Sequence, residues 1–176
     1  SFIIIGGYVT ADSPPVEKLV MRLAALPRTG RGAVAFVATF SMLVSLIHWG
    51  LSLILGSLLV RALARREALA MDYRAAGAAA YLGLGATWAM GLSSSAAQLQ
   101  ANPASMPPSL LAISGVIPFS ETILLWQSLV LTVVLIVVST WIAWATAPAP
   151  AGAKTAADLG LALDQRKYAL PPRSRP

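Results

Sequence analysis

Apolar positions in this chain change rhythm from one segment to the next. Between Pro14 and Leu26 they recur at helical spacing, with Val16, Leu19, Val20, Leu23 and Leu26 on one face and Glu17, Lys18 and Arg22 on the other. Prolines at the start suit a first helical turn, so the pattern predicts an amphipathic helix over 14–26 lying in a membrane interface. From Ala33 to Val60 the chain is an apolar run without a charge, and SLIHWGLS at its midpoint (45–52) holds the only histidine. Residues 75–92 are rich in Ala and Gly and dissolve into SSSAAQLQANPASMPP. The last apolar run, TILLWQSLVLTVVLIVVSTWIAWATA at 122–147, reads as a conventional spanning helix, with Ser120 before Glu121 as its candidate N-cap. Trp126 and Trp141 would stand about 22 Å apart on it and Trp144 about 27 Å from Trp126, near the aromatic belts of a bilayer core about 30 Å thick.

Composition turns this pattern into a class. Hydrophobic residues make up 57% and charged residues 11%, against about 25% charged in soluble domains. The expectation is an all-α, polytopic membrane protein. The formal charge of +6 raises nucleic acid as a partner, but the basic residues sit in short blocks beside apolar runs without interleaved aromatics. That arrangement fits a lipid bilayer and excludes nucleic acid. Absence of cysteine excludes disulfides and thiol chemistry. The opening SFIIIGGYV has no Met and no basic leader, so residues 1–9 read as the end of a preceding transmembrane helix. Residues 148–176, rich in Ala and Pro, read as a cytoplasmic linker, and the whole reads as a fragment of a longer protein.

Orientation follows from the cations. All thirteen Lys and Arg fall in three blocks, 18–31, 61–74 and 154–175, which the positive-inside rule places on the cytoplasmic side. The run 33–60 then begins and ends on one side, which a single straight span cannot do. A re-entrant hairpin resolves this: 33–46 climbs to about mid-bilayer, SLIHWGLS turns with Gly50 lending backbone freedom, and 51–60 descends. Each arm of about fourteen residues, about 20 Å of helix, is too short to cross. The segment 75–118 is expected to be a broken helix followed by irregular chain. With residue 75 at the cytoplasmic end, Ser93–Ser95 lie about 27 Å along, and a break or tilt has to bring them to the first tip.

The seven acids, Asp12, Glu17, Glu67, Asp72, Glu121, Asp158 and Asp164, all lie at flanks or in the linker. No carboxylate pair is left in the core for a proton relay or metal cage. His48 is the ionisable candidate inside. It reads either as a functional site or as a hydrogen bond fastening the hairpin to another helix. Trp49 reads first as packing. Ser45, Ser52, Ser93, Ser94 and Ser95 each have the plain reading of back-bonding to their own helix, although three serines in a row beside Gly91 also suit a carboxylate held by hydroxyls and free amides. Gly77, Gly83, Gly85 and Gly91 read as helix-packing residues.

The ordered blocks GGYVTADSPPVEKLVMRLAALPRT, SLIHWGLSLILGSLLVRALARR, DYRAAGAAAYLGLGATWAMGLSSSAAQLQ and ISGVIPFSETI resemble the bacterial short-chain fatty acid transporter family, which belongs to a superfamily of secondary carriers built from inverted repeats. The resemblance covers about residues 1–147, roughly one repeat. It implies uptake of a short-chain fatty acid carboxylate, such as acetoacetate or butyrate, by a multi-pass protein of the bacterial inner membrane working by alternating access. It also implies no organic cofactor, a coupling cation (sodium or proton), the second repeat as partner, and room for a homodimer. Carried over by position, the site is the hairpin tip, Ser45, His48, Trp49, Gly50 and Ser52, together with Gly91, Ser93, Ser94 and Ser95 of the broken helix. One departure matters: the family tip resembles Asn-Trp-Gly, and here His48 takes the first place.

Two other classes compete. A non-transporting membrane scaffold or subunit would show small-residue packing alone. An intramembrane serine hydrolase would pair Ser93–Ser95 with His48, but there is no G-x-S-x-G elbow and no acid to orient the imidazole, so the reading is of a protein that is not an enzyme. No metal ligands are assigned.

Overall fold

The structure, a computed structural model, describes residues 13–161 and residue 163; the segment 1–9 and the basic tail from 164 lie outside the described residues. Helices are the only regular elements among the described residues. Helix α1 (Pro14–Ala24) starts on its two prolines, as expected. It lays Val16, Val20, Leu23 and Ala24 against the core, while Leu19 and Leu26 stay exposed outside that contact.

Helix α2 (Gly30–Ile47) begins three residues before the apolar run because the Thr29 hydroxyl caps it, accepting from the Gly32 amide. It ends at His48, whose extended backbone (φ −156°, ψ 121°) separates it from α3 (Trp49–Ala64). The two helices fold back on each other, and their serines meet across the seam: Ser41 and Ser52 hydroxyls are 2.9 Å apart. Both arms are longer than the expected fourteen residues. The 18 residues of α2 reach about 27 Å, so its length alone does not bar a crossing. The chain nevertheless returns to its starting level. Gly30 lies so close to the turn after α3 that a Cβ there would stand 2.7 Å from the carbonyl oxygens of Leu69 and Ala70.

Helix α4 (Tyr73–Ala80) runs along the hairpin and gives way to a π-helical turn, Gly83–Thr87, and a 3₁₀ turn, Trp88–Met90. Short helices α5 (Ser95–Ala101) and α6 (Pro108–Ser114) follow. Helix α7 (Trp126–Thr146) starts four residues later than expected. Ser120 and Glu121 belong to a separate 3₁₀ turn, Phe119–Glu121, and Leu125 at the true N-cap supplies no side-chain bond.

α7 runs antiparallel beside α2. Arg31 Nε donates to the Ala147 carbonyl at 2.9 Å and the Thr39 and Thr140 hydroxyls are 2.9 Å apart. Carried along at equal rise, this register sets His48 near Leu131, about 8 Å short of Trp126. Apart from Thr132, hardly any of α7 is buried, and Val133, Val137 and Trp141 are more than half exposed. An apolar surface of that extent is stable in lipid rather than in water.

Three stretches of cationic sequence converge at the end of the molecule opposite the tip. Arg66 donates to the carbonyls of Ala24 and Pro27, Arg31 to Ala147, and the Tyr73 amide to Lys154. Asp72 joins them from within. Its Oδ1 caps α4 by accepting from the Ala75 amide, and its Oδ2 accepts from the Lys154 amide, each at 2.9 Å.

Candidate functional site

The tip of the hairpin and the chain around Ser93 meet, joined through backbone amides. The Leu92 amide donates to the Leu46 carbonyl at 2.7 Å, and the Trp49 amide donates to the Ser93 hydroxyl at 3.0 Å. Gly91 makes this approach feasible, since a Cβ there would lie 2.6 Å from Leu46 O and 2.8 Å from Ser45 O. The depth difference expected from the sequence is absent because the first arm is long: 18 residues of α2 match the climb from Tyr73 to Gly91.

A helix start leaves its first amides without intrahelical acceptors. At the start of α3, Trp49 N–H goes to Ser93, Gly50 N–H goes to His48 Nδ1 at 3.0 Å, and Ser52 N–H goes to the His48 carbonyl at 3.2 Å. The Leu51 amide has no partner among the described residues. His48 is thus a local N-cap rather than the bridge to another helix that was one of its two expected roles. With Nδ1 accepting, the neutral ring carries its proton on Nε2, which has no partner among the described residues. Ser93, half-buried, accepts from Trp49 and keeps its own O–H to donate. The Trp49 ring stacks near the imidazole, with centroids 6.1 Å apart.

The other predicted site serines divide by burial. Ser45 and Ser52 are fully buried and already bonded, Ser45 to the Gly83 carbonyl at 2.6 Å and Ser52 to the Ser41 carbonyl at 2.8 Å. Ser94, also buried, caps α5 by accepting from the Ala97 amide, whereas Ser95 is exposed. Ser45, Ser52 and Ser94 therefore hold the frame, with Gly50 buried beside them, while His48, Trp49, Ser93 and Ser95 form its surface. Sequence reasoning missed Ser41 and Thr87. The Ser41 hydroxyl donates to Ala80 O, and that of Thr87 reaches Met42 O at 3.2 Å and Gly83 O at 3.3 Å. These hydroxyls take up carbonyls around the π-helical turn. The signal was available: Ser41 lies one helical turn from Ser45, and Thr87 one turn from Gly83.

Of the four glycines read as packing residues, Gly83 and Gly91 are in tight contact, while around Gly77 and Gly85 there is open space. His48 and the three serines form no nucleophile–base pair, since the imidazole acceptor is occupied by Gly50 and the Ser93 oxygen by Trp49. No group of three His, Cys, Asp or Glu able to hold a metal occurs among the described residues.

What remains is a tip of hydroxyls and helix-start amides, far along an apolar hairpin. The family model described as short chain fatty acid transporter matches residues 1–169. The chain belongs to that family. It is similar to a protein named "Putative short-chain fatty acid transporter" in Escherichia coli (strain K12), at 33% identity over 150 residues, which cover 85% of this chain and 33% of that protein. A protein of the same name in Haemophilus influenzae is 28% identical over 153 residues, covering 84% of this chain and 34% of its own length. The chain thus spans about a third of the length of these curated relatives. No solved structure matches it significantly.

Proposed function

We propose that this chain is the part of a secondary transporter that presents one half of a binding site for short-chain fatty acid carboxylates. It would be a multi-pass protein of the bacterial inner membrane, with the three basic blocks on the cytoplasmic side and α2–α3 as a re-entrant hairpin. The observation that carries this reading is the bond from the Trp49 amide to the Ser93 hydroxyl, which unites two irregular segments into one polar surface inside an apolar helical assembly. Irregular backbone at membrane depth is stable only where it is buried in protein or lines a wet cavity, and a cavity that exposes hydroxyls and amides without Lys or Arg suits a carboxylate that must also leave.

In this reading the Ser93 hydroxyl, the Leu51 amide and His48 Nε2–H are the donors for the carboxylate, with Trp49, Gly50 and Ser95 alongside. Ser45, Ser52, Gly91 and Ser94 keep them in place. A second repeat of the intact carrier completes the site, a sodium ion or proton is the coupling cation, and a homodimer is compatible with the exposed face of α7. This chain has no native cysteine, so Ser95→Cys in the intact protein, with any cysteine outside these residues replaced by serine, gives a single reporter. Butyrate should slow its reaction with a thiol reagent in a saturable way, while chloride at the same ionic strength should not. Equal rates with and without butyrate would remove the tip from the substrate path.

A further inference from the structure

Along the seam of α2 and α7 runs an open groove of about 390 Å³, bounded by Ala35 on one side and by Ile136, Val137, Trp141 and Trp144 on the other. Its polar atoms are already used: the Thr39 and Thr140 hydroxyls pair with each other at 2.9 Å. The groove therefore makes no demand for a polar occupant along its length. One end is different. Arg31 lies one helical turn before Ala35 on the same stripe of α2, and its Nε is bonded to the Ala147 carbonyl. Its two Nη atoms have no partner among the described residues.

We propose that this groove is a lipid site, holding one acyl chain of an anionic phospholipid with the headgroup phosphate on the Arg31 guanidinium. The inference rests on the membrane setting proposed above and is independent of transport. Three features select this occupant. The guanidinium fork matches a phosphate in geometry and charge. Trp144, 46% exposed, stands at the same end, with Trp141, 63% exposed, one turn further along the groove; amphipathic rings favour the headgroup level. Exposed Arg28 and Lys154 add positive charge at that end, as in basic sites that collect anionic headgroups on the cytoplasmic leaflet. A neutral helix of another protein segment would fill the apolar part but leave the Nη donors unpaired, at a desolvation cost.

The test counts lipid on the intact protein. It is purified in mild detergent with equal amounts of dioleoyl-phosphatidylglycerol and dioleoyl-phosphatidylcholine, washed, and examined by native mass spectrometry. The wild type should retain phosphatidylglycerol over phosphatidylcholine by roughly fivefold, the effect of about one basic contact. Arg31→Gln should bring the two lipids near parity, and Arg31→Lys should fall between. Ala35→Leu, which fills the groove, should lower retention of both. Retention unchanged by Ala35→Leu, or no retained lipid in the wild type, overturns the proposal. Because Arg31→Gln also removes the bond to Ala147, a photo-crosslinking residue at Val137 in an otherwise wild-type chain reads the occupant directly. A phospholipid adduct supports the site, whereas an adduct to another segment of the protein or to a second copy overturns it. Butyrate uptake plays no part in the readout, so loss of the transport reading would leave this result intact.

Discussion

The Ser93 hydroxyl receives the Trp49 amide proton at 3.0 Å, although the two residues are 44 positions apart. That single contact ties the start of α3 to the chain leaving the π-helical turn, and it leaves the Ser93 proton free for a ligand. Ser93→Ala removes the acceptor of a backbone donor and, in the proposed site, a donor to the carboxylate. A lost bond to a charged group is worth about 1.5–3 kcal/mol, or about tenfold or more in affinity. The apparent constant for radiolabelled butyrate uptake by the intact protein should rise by that factor, and Ser93→Thr should restore most of it. Serines 57 and 128, which bond only to carbonyls of Ile54 and Thr122, should tolerate alanine. Equal constants for Ser93→Ala and wild type would place the carboxylate elsewhere.

His48 caps α3 through Nδ1, and asparagine is among the strongest N-caps. His48→Asn should therefore preserve both the melting temperature and uptake, while His48→Leu loses the cap, about 1 kcal/mol, and a donor at the tip. Uptake by the leucine variant should be abolished. If both variants transport alike, His48 is a helix cap and not a donor to the substrate.

The parts of the fold legible in the sequence were those fixed by charge and local chemistry. Pro14 and Pro15 announce α1, and SLIHWGLS marks the break between α2 and α3, because helix starts and interruptions leave residues of particular types behind. The length of α2 was less legible: Gly30 and Gly32 look like loop, yet Thr29 caps the helix and Gly30 is required by the contact with Leu69 and Ala70. The start of α7 misled for the converse reason. Ser120–Glu121 has the form of a cap, but a 3₁₀ turn takes it and Ile123 is buried before the helix begins. In the site, the grouping of the tip with Ser93 could be anticipated from two irregular stretches. The division of the serines into frame and surface could not, since the bonds of Ser45 and Ser41 run to carbonyls 38 and 39 residues away, freed by a π-helical turn that has no local sequence code.

The same turn predicts a contrast between glycines. A Cβ on Gly83 would collide with the Ser41 carbonyl and the Ser52 hydroxyl, whereas around Gly77 there is nothing within 4 Å. Gly83→Ala should destabilise by about 1–3 kcal/mol through overpacking. Gly77→Ala, inside α4, should be neutral or stabilising by up to about 1 kcal/mol. Thermal unfolding of the two variants in the same detergent decides it, and a Gly83→Ala midpoint at or above wild type would contradict the packing around the turn.

Membrane topology is open to direct measurement because this chain has no native cysteine to interfere; any cysteine outside it is replaced by serine first. Single cysteines replacing Arg66 and Lys154 should react with an impermeant reagent from the cytoplasmic side alone, and one at Ala104 from the outside alone. Labelling of the Arg66 position from outside would mean that α2 and α3 do not return to one face.

Asp72 gives the fold a pH dependence whose sign can be worked out. Burial raises its pKa, but hydrogen bonds from the Lys154 and Ala75 amides and from exposed Arg74 together outweigh that and hold it below the ordinary carboxylate value. A carboxyl whose folded pKa is depressed contributes stability that is fully present above its unfolded pKa, about 3.9, and is lost as pH falls through the folded value. Protonation costs acceptor strength at Oδ1, which caps α4, and at Oδ2, which holds Lys154. Both the helix start and the docking of the following chain weaken together. Asp72→Asn keeps the shape but replaces one acceptor oxygen with a donor facing another N–H. At pH 7 the variant should be less stable than wild type by about 1.5–3 kcal/mol, the range for bonds to a charged group. The gap should narrow below about pH 4, as the wild type loses its charge and the variant has none to lose. Melting temperatures of both proteins between pH 3 and 7 test this, and a gap that stays constant across the range would mean that the charge of Asp72 does not link α4 to Lys154.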